Sequence, residues 1–178
     1  MMTSAKNKSR SHPLQSTASD CRVSRLLFSE TTLRIGYVDE VDCFEIRRVG
    51  LAPAQAKPVP AYPYALDQFH LAAFIGSEIT SVATFLMEDQ TEDGSYTATG
   101  DCWRLRAMAT HPDHRNRGYS TAVLEHGMRI LKQKQAAFLW ANGRSTAISF
   151  YLRNGFSKIG RERRVPGLAP HYRIVRRL

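Results

Sequence analysis

The chain has no apolar run approaching the roughly 20 residues that a membrane-crossing helix needs. Its first residues lack the apolar core of a secretory signal, so none is expected. They are Ser-rich and acid-poor, like an organelle transit peptide, but Pro13 and the missing amphipathic stripe argue against that. Cysteine is scarce: Cys21, Cys43 and Cys102 stand far apart, with no CxxC pair and no Cys/His cluster. Neither a zinc site nor a disulfide framework is expected, and no metal. The pattern suits a reducing compartment, and a cytoplasmic location is the expectation. GxxxxGK[ST] is missing, which excludes a P-loop NTPase. GxGxxG after a first strand is missing too, which removes the usual dinucleotide fingerprint.

Acids are also few. Against 25 Lys and Arg stand 16 Asp and Glu, a formal net charge of +9. That balance favours anionic partners: nucleic acid, a membrane surface or phosphorylated small molecules. Nucleic acid is disfavoured, because no recognised motif appears and the aromatics are not interleaved with the basic clusters. Residues 1–19 hold Lys6, Lys8 and Arg10 and no acid. The closing stretch "RERRVPGLAPHYRIVRRL" carries six arginines against Glu162.

The 178 residues, 43% of them apolar, fit one domain with a real core. Residues 1–24 read as a disordered basic extension, and 25–178 as a single domain. "TTLRIGYV" (31–38) reads as a first strand. "DEVDCFEIRRVGL" (39–51) follows as a helix, with Val41, Phe44 and Val49 near helical spacing and Asp39 as its cap. Residues 52–65 hold four of the eight prolines and read as an irregular loop. Residues 69–75 and 79–87 form a hairpin around "GSE". "CWRLRAMAT" (102–110) alternates as a half-buried strand does. From Ser120 the positions Val123, Leu124, Met128, Ile130 and Leu131 recur at helical spacing. "AAFLWAN" reads as a strand buried on both faces. "STAISFYLRNG" reads as a helix capped by Ser145 and closed at Asn154-Gly155. Two more strands end the chain. The order β-α-β-β-β-α-β-α-β-β describes an α+β mixed sheet with helices packed on it.

"RNRGYS", Arg115, Asn116, Arg117, Gly118, Tyr119 and Ser120, stands between the fourth strand and the long helix. The first turn of a helix has amides without partners and carries partial positive charge. A phosphate satisfies both. Gly118 lets a ligand approach the backbone, and Arg115 and Arg117 add charge and forked donors. Taken alone, these features describe either a phosphate cradle or a basic turn that starts a surface helix.

"FYLRNGF" follows one strand and one helix later. Together the two motifs resemble the GNAT superfamily of acyl-CoA-dependent N-acetyltransferases. Residues 115–120 match [QR]-x-x-G-x-[GA], preceded by His111-Pro112. Phe150, Tyr151, Gly155 and Phe156 match the FY-x-x-x-GF pattern. Ser120 departs from the final Gly or Ala, and is expected either to crowd the pyrophosphate slightly or to add a hydroxyl donor.

The resemblance implies a mostly antiparallel sheet of six to seven strands, flanked by about four helices and splayed between strands four and five. It implies acetyl-CoA as co-substrate and a primary amine as acceptor. Met108, Ala109 and Thr110 would bond the pantetheine arm, and the amides of residues 115–120 the pyrophosphate. Asn142 would bond the pantetheine arm or serve as a turn residue before Gly143. Tyr151 matches the family's general acid beside the sulfur; its alternative is a core tyrosine. Glu88, Asp101, Glu45 and His171 are candidates for the base, none in a diagnostic motif. Arg104 and Arg106 share a face with Met108 and either bind an acceptor anion or pair with acids of a neighbouring strand. The acceptor, a small molecule or a peptide, is not identified by the residues, and neither is a homodimer, which is common in the family. The alternative function is a non-catalytic CoA-binding or protein-interaction module on the same fold.

Overall fold

A computed structural model describes residues 32–51, 67–88, 102–164 and 169–178. The Pro-rich stretch 52–65, Asp101 and the 1–24 extension fall outside these residues. Seven strands form one sheet: β1 (Leu33–Val38), β2 (Gln68–Ile75), β3 (Glu78–Met87), β4 (Cys102–Thr110), β5 (Phe138–Arg144), β6 (Ser157–Arg163) and β7 (His171–Arg177). Among the described residues three α-helices accompany them, where about four were expected: α1 (Phe44–Leu51), α2 (Tyr119–Gln133) and α3 (Ile148–Arg153). The order along the chain is the expected one. No helix among the described residues is long and apolar enough to cross a membrane.

Sheet order is β1-β2-β3-β4-β5-β7-β6. Every neighbouring pair is antiparallel except β4 and β5, which run parallel. The β2–β3 hairpin turns on Gly76 and Ser77, with Glu78 already paired to Ile75. Gly76 has φ 58°, a conformation that favours glycine.

The sheet is covered on both sides. On one face α2 lays Val123, Leu124, Met128 and Leu131 against Phe69, Leu71, Phe85, Trp103 and Leu105. Leu124 and Leu131 are fully buried, and each such side chain contributes roughly 1.5–3 kcal/mol. On the other face α1 and the 3-10 turn before it bring Ile46 and Cys43 onto Ala72, Val82 and Ala109.

The buried face of α1 differs from the expected one. Val41 and Phe44 are exposed, and Cys43, Ile46 and Arg47 are buried. A 3-10 turn over Val41–Cys43 rotates the chain before the α-helix begins, so α-helical spacing counted from Val41 points outward. Asp39 does not cap by its side chain; its own amide donates to the Asp42 carboxylate at 3.2 Å. Ser145 does not cap α3 either. Its hydroxyl donates to Glu162 Oε1 at 2.6 Å, and a 3-10 turn leads into the helix.

The α3 C-terminus is the cleanest agreement. Gly155 has φ 76°, its amide bonds Leu152 O at 3.0 Å, and the Phe156 amide bonds Tyr151 O at 3.1 Å. That double closure is a Schellman motif. The accompanying apolar contact is present, with the Tyr151 and Phe156 rings 5.6 Å apart. FY-x-x-x-GF thus encodes a helix stop that locks Tyr151 in place.

Candidate active site

The site starts where β4 and β5 part. They pair only through Cys102↔Phe138, Trp103↔Leu139 and Arg104↔Trp140. Beyond that, residues 105–110 of β4 and 141–144 of β5 have no pairing with each other, and a fork opens.

β4 carries a bulge beside this fork. Val82 pairs with Ala109 and Thr84 with Arg106, so Ala107 and Met108 stand opposite the single residue Ala83. Ala107 has φ 47°, rare for a residue with a β-carbon. Arg47, buried at 4% exposure, reaches from α1 to hold the bulge. Its Nε donates to Ala107 O at 3.3 Å and its Nη2 to the Thr84 hydroxyl. The bulge corrects one expectation: Met108 packs with Trp103 and Leu105 on the α2 side, and so does not share the face of Arg104.

Arg104 is buried and ion-paired with Glu88 at 2.8 Å. Of its two expected roles, pairing with an acid of a neighbouring strand is the one observed. Arg106 lies opposite Thr84 on β3.

The loop between β4 and α2 is open. Residues 115–118 are exposed. Asn116 has φ 61° and Gly118 φ 82°, so two left-handed residues stand almost together before the helix. Such a backbone turns successive amides toward one point. Ala122 is the first amide of the helix with a carbonyl partner, Gly118 O at 3.0 Å. Among the described residues nothing bonds the amides of residues 116–121. A β-carbon added at Gly118 would meet nothing within 4 Å, so the space before it is clear. A pyrophosphate fits this arrangement of unpartnered donors.

The two loop arginines differ. Arg115 Nη2 donates to Gly50 O at 3.0 Å, tying the loop to the end of α1. Arg117 is exposed and bonds to no described residue. Arg115 thus has Nη2 committed to the end of α1, and the Arg117 guanidinium has no described partner. The Ser120 side chain is engaged away from the loop amides. Its hydroxyl bonds that of Thr110, and Ser81 Oγ lies 2.9 Å from Thr110 Oγ1 and 3.0 Å from Ala109 O. These three hydroxyls rivet α2 to β3 and β4.

Tyr151 lies on α3, half-buried, with Phe150 at 5.1 Å. Gly143 of β5 makes room for it: a β-carbon there would come within 3.0 Å of Tyr151 Cδ2 and Cε2. Burial pushes the phenol up to about 12, against a small opposing pull from the Arg144 charge. Its hydroxyl bonds to no described residue.

Asn142 is not a turn residue. It lies inside β5, paired with Arg173 of β7. Its Oδ1 is buried without a partner. Met108 and Thr110 are half-buried and Ala109 is buried, along the β4 side of the fork.

The base candidates are dispersed. Glu88 is held by Arg104. Glu45 is exposed and bonded to Arg48 at 2.6 and 2.8 Å, which lowers its pKa. His171 Nδ1 lies 3.2 Å from Ala169 O. One residue outside that set is notable. His70 of β2 has Nδ1 2.7 Å from the Thr84 hydroxyl, and burial, then the Arg47 charge, lower its pKa. Periodicity offered no sign of it, because one polar residue in an apolar strand reads as ordinary alternation.

Several known proteins share this architecture. The model of the acetyltransferase (GNAT) family matches residues 37–156. An uncharacterized N-acetyltransferase of Bacillus subtilis, YitI, is 27% identical over 144 residues, covering 78% of this chain and 92% of the relative. The ribosomal-protein-S18-alanine N-acetyltransferase of Escherichia coli superposes with a TM-score of 0.62 at 18% identity, over 82% of this chain and 94% of its own. PaiA N-acetyltransferase of Thermoplasma acidophilum, solved with coenzyme A, superposes with a TM-score of 0.59 at 15% identity, over 83% and 100%.

Proposed function

The chain belongs to the GNAT acetyltransferase family, and on that premise we propose that it moves the acetyl group of acetyl-CoA directly to a primary amine. One observation carries the reading: backbone amides without described partners stand at the head of α2, directly after β4, the strand that parts from β5. The amides of residues 116–120 hold the pyrophosphate, with Arg117 adding charge. The β4 backbone at Met108, Ala109 and Thr110 guides the pantetheine arm along the fork. Asn142 Oδ1 accepts an N–H there.

Acetyl transfer to an amine needs two proton movements. The attacking nitrogen must lose a proton, and the departing sulfur must be protonated or hydrogen-bonded. Tyr151, with a pKa of about 12, is neutral throughout the physiological range and keeps a proton to donate. It stabilises the leaving thiolate as a fixed hydrogen-bond donor. The reading predicts saturable acetyl-CoA binding and release of free thiol against a panel of amines. Gly118→Ala puts a β-carbon into the cradle and serves as the control. Absence of saturable acetyl-CoA binding by calorimetry would defeat the proposal.

A second reading draws on the base candidates. Glu88 and Glu45 are both engaged by arginines, which suits a CoA-binding module without catalysis. Any acetylated amine product in that panel removes it.

A further inference from the structure

A buried arginine holds the bulge of β4. Ala107, with φ 47°, sits where a residue with a β-carbon stays only if its surroundings fix it, and such residues gather at functional sites. Arg47 does the fixing: its Nε donates to Ala107 O at 3.3 Å and its Nη2 to the Thr84 hydroxyl. Glu40 offsets the charge, with Oε1 3.8 Å from Nη1. A buried ion pair is weak evidence for stability, because desolvation cancels much of the attraction. An apolar side chain would cover β3 and β4 as well. The guanidinium supplies instead a rigid, planar set of donors.

The bulge decides the course of β4 beyond it. It adds one residue, after which Ala109 meets Val82 and Thr110 meets Ser81. Without that residue every later position would turn to the other face. Met108, Ala109 and Thr110 border the fork, where β4 no longer pairs with β5.

The clamp continues to His70. His70, Thr84 and Arg106 stand in one row across β2, β3 and β4, one residue before Ala107. An arginine only donates, so Thr84 Oγ1 accepts from Arg47 and offers its own proton to His70 Nδ1, 2.7 Å away. A ring nitrogen that accepts belongs to a neutral imidazole. Protonating His70 puts an N–H there and reverses the bond. Thr84 then loses the acceptor of its proton, and Arg47 gains a second cation beside it. Val38 lies opposite His70 on β1. The charged groups described around it are Arg47 of α1, and Glu40 and Asp39 just before the 3-10 turn. Burial, then the Arg47 charge, keep its pKa below the ordinary value, against the pull of the two acids.

Resting on the transferase reading above, we propose that Arg47 is a positioning residue for acyl transfer. Through the Ala107 carbonyl it sets the course of β4 along the fork, and through Thr84 it places that course under the control of His70. The clamp is closed when His70 is neutral and loosens when it is protonated.

The test compares the intact chain with Arg47→Lys and His70→Asn. Lysine keeps the charge but cannot hold Ala107 O and Thr84 together. Asparagine keeps an oxygen acceptor for Thr84 in place of Nδ1 and does not titrate. Thiol release at saturating acetyl-CoA and amine gives kcat, and calorimetry gives CoA affinity. Arg47→Lys should lower kcat about 100-fold, the effect of a misplacement of about 1 Å. CoA affinity should hold, because the amides of residues 116–120 are untouched. The parent's kcat should fall as pH drops below 6.5, at the same pH with two amines of different basicity, and His70→Asn should remove that fall. Amide NMR shifts of Ala107 and Met108 should follow the same titration with CoA bound and no acceptor present.

Full kcat in Arg47→Lys, or an acid limb that survives His70→Asn, would overturn the inference and leave the transferase reading standing. A kcat loss matched by an equal loss of CoA affinity would make Arg47 a structural residue only, and overturn it too. If Arg47→Lys fails to fold, the His70→Asn profile decides alone. A parent that releases no thiol with any amine would sink the transferase reading. Shifts of Ala107 and Met108 that follow His70 would then still uphold the clamp on β4, and shifts that ignore it would end the inference.

Discussion

Gly127→Ala is the sharpest test of the packing described here. Gly127 lies in the middle of α2, where alanine should be the better residue by about 1 kcal/mol. The structure predicts the opposite outcome. A β-carbon at Gly127 would sit 2.1 Å from Phe85 Cζ and 2.6 Å from both Cε atoms. The Phe85 ring cannot retreat: it is fully buried and stacked on Phe69, with centroids 5.0 Å apart and planes 11° apart. Overpacking of this kind costs about 3 kcal/mol, the upper end of the usual range. Subtracting the helix gain leaves a net loss of about 2 kcal/mol. For a domain of this size that lowers Tm by about 4–8 °C. Thermal unfolding followed by circular dichroism measures it. A Gly127→Ala protein as stable as the parent, or more so, would refute the reasoning. A Phe85→Leu companion sharpens it: the double variant should be more stable than the two single losses add up to, since leucine vacates the space.

The remaining predictions concern the site. Gly118→Ala should fold with a loss of about 1–2 kcal/mol, from its φ of 82°, yet weaken CoA binding at least tenfold; unchanged affinity would remove the loop from the cradle. Arg117→Gln should weaken CoA binding and flatten its salt dependence, and Arg115→Gln should mainly lower stability; calorimetry at two salt concentrations separates the two roles. Tyr151→Phe should reduce kcat about 100- to 10,000-fold with CoA affinity retained, and equal activity would dismiss its role as donor to the leaving sulfur. Because its phenol is raised to about 12, Tyr151 is protonated in both states below pH 10, so its contribution to stability holds there and is lost as pH rises from 10 toward 12. His70 has the opposite sign: its folded pKa is lowered, so stability present above pH 6.5, the unfolded value, falls as pH drops below it, and His70→Gln should blunt that acid sensitivity in a pH series of melts.

Some of this protein was legible without coordinates. The change from period two to period 3.6 near Ser120, and the turn signals at Gly76 and Gly155, are local properties of backbone sterics. Local sterics do not depend on distant residues, so the order of strands and helices followed from them. The two motifs around Gly118 and Tyr151 are local in the same sense, and they carried the family. Failures came where an element is shifted by something not local. A 3-10 turn rotates α1, so Arg47 and not Phe44 faces the sheet. A bulge at Ala107, held by an arginine 60 positions earlier, moves Met108 to the other face of β4. The hydroxyl of Ser120 meets Thr110, ten positions earlier on β4, a contact that the loop's own residues do not announce.

The sequence by itself determined the elements, their order and the open turn before α2, because each rests on neighbours within a few residues. Only the tertiary structure decided what each polar side chain does. Arg115 anchors, and Arg117 bonds to no described residue, because α1 ends beside one of them. Trp140, Asn142 and Arg104 form one patch because β4 and β5 run side by side for three residues and then part. Which strands meet, and where they separate, depends on packing across the whole sheet, and no stretch of the chain contains that information alone.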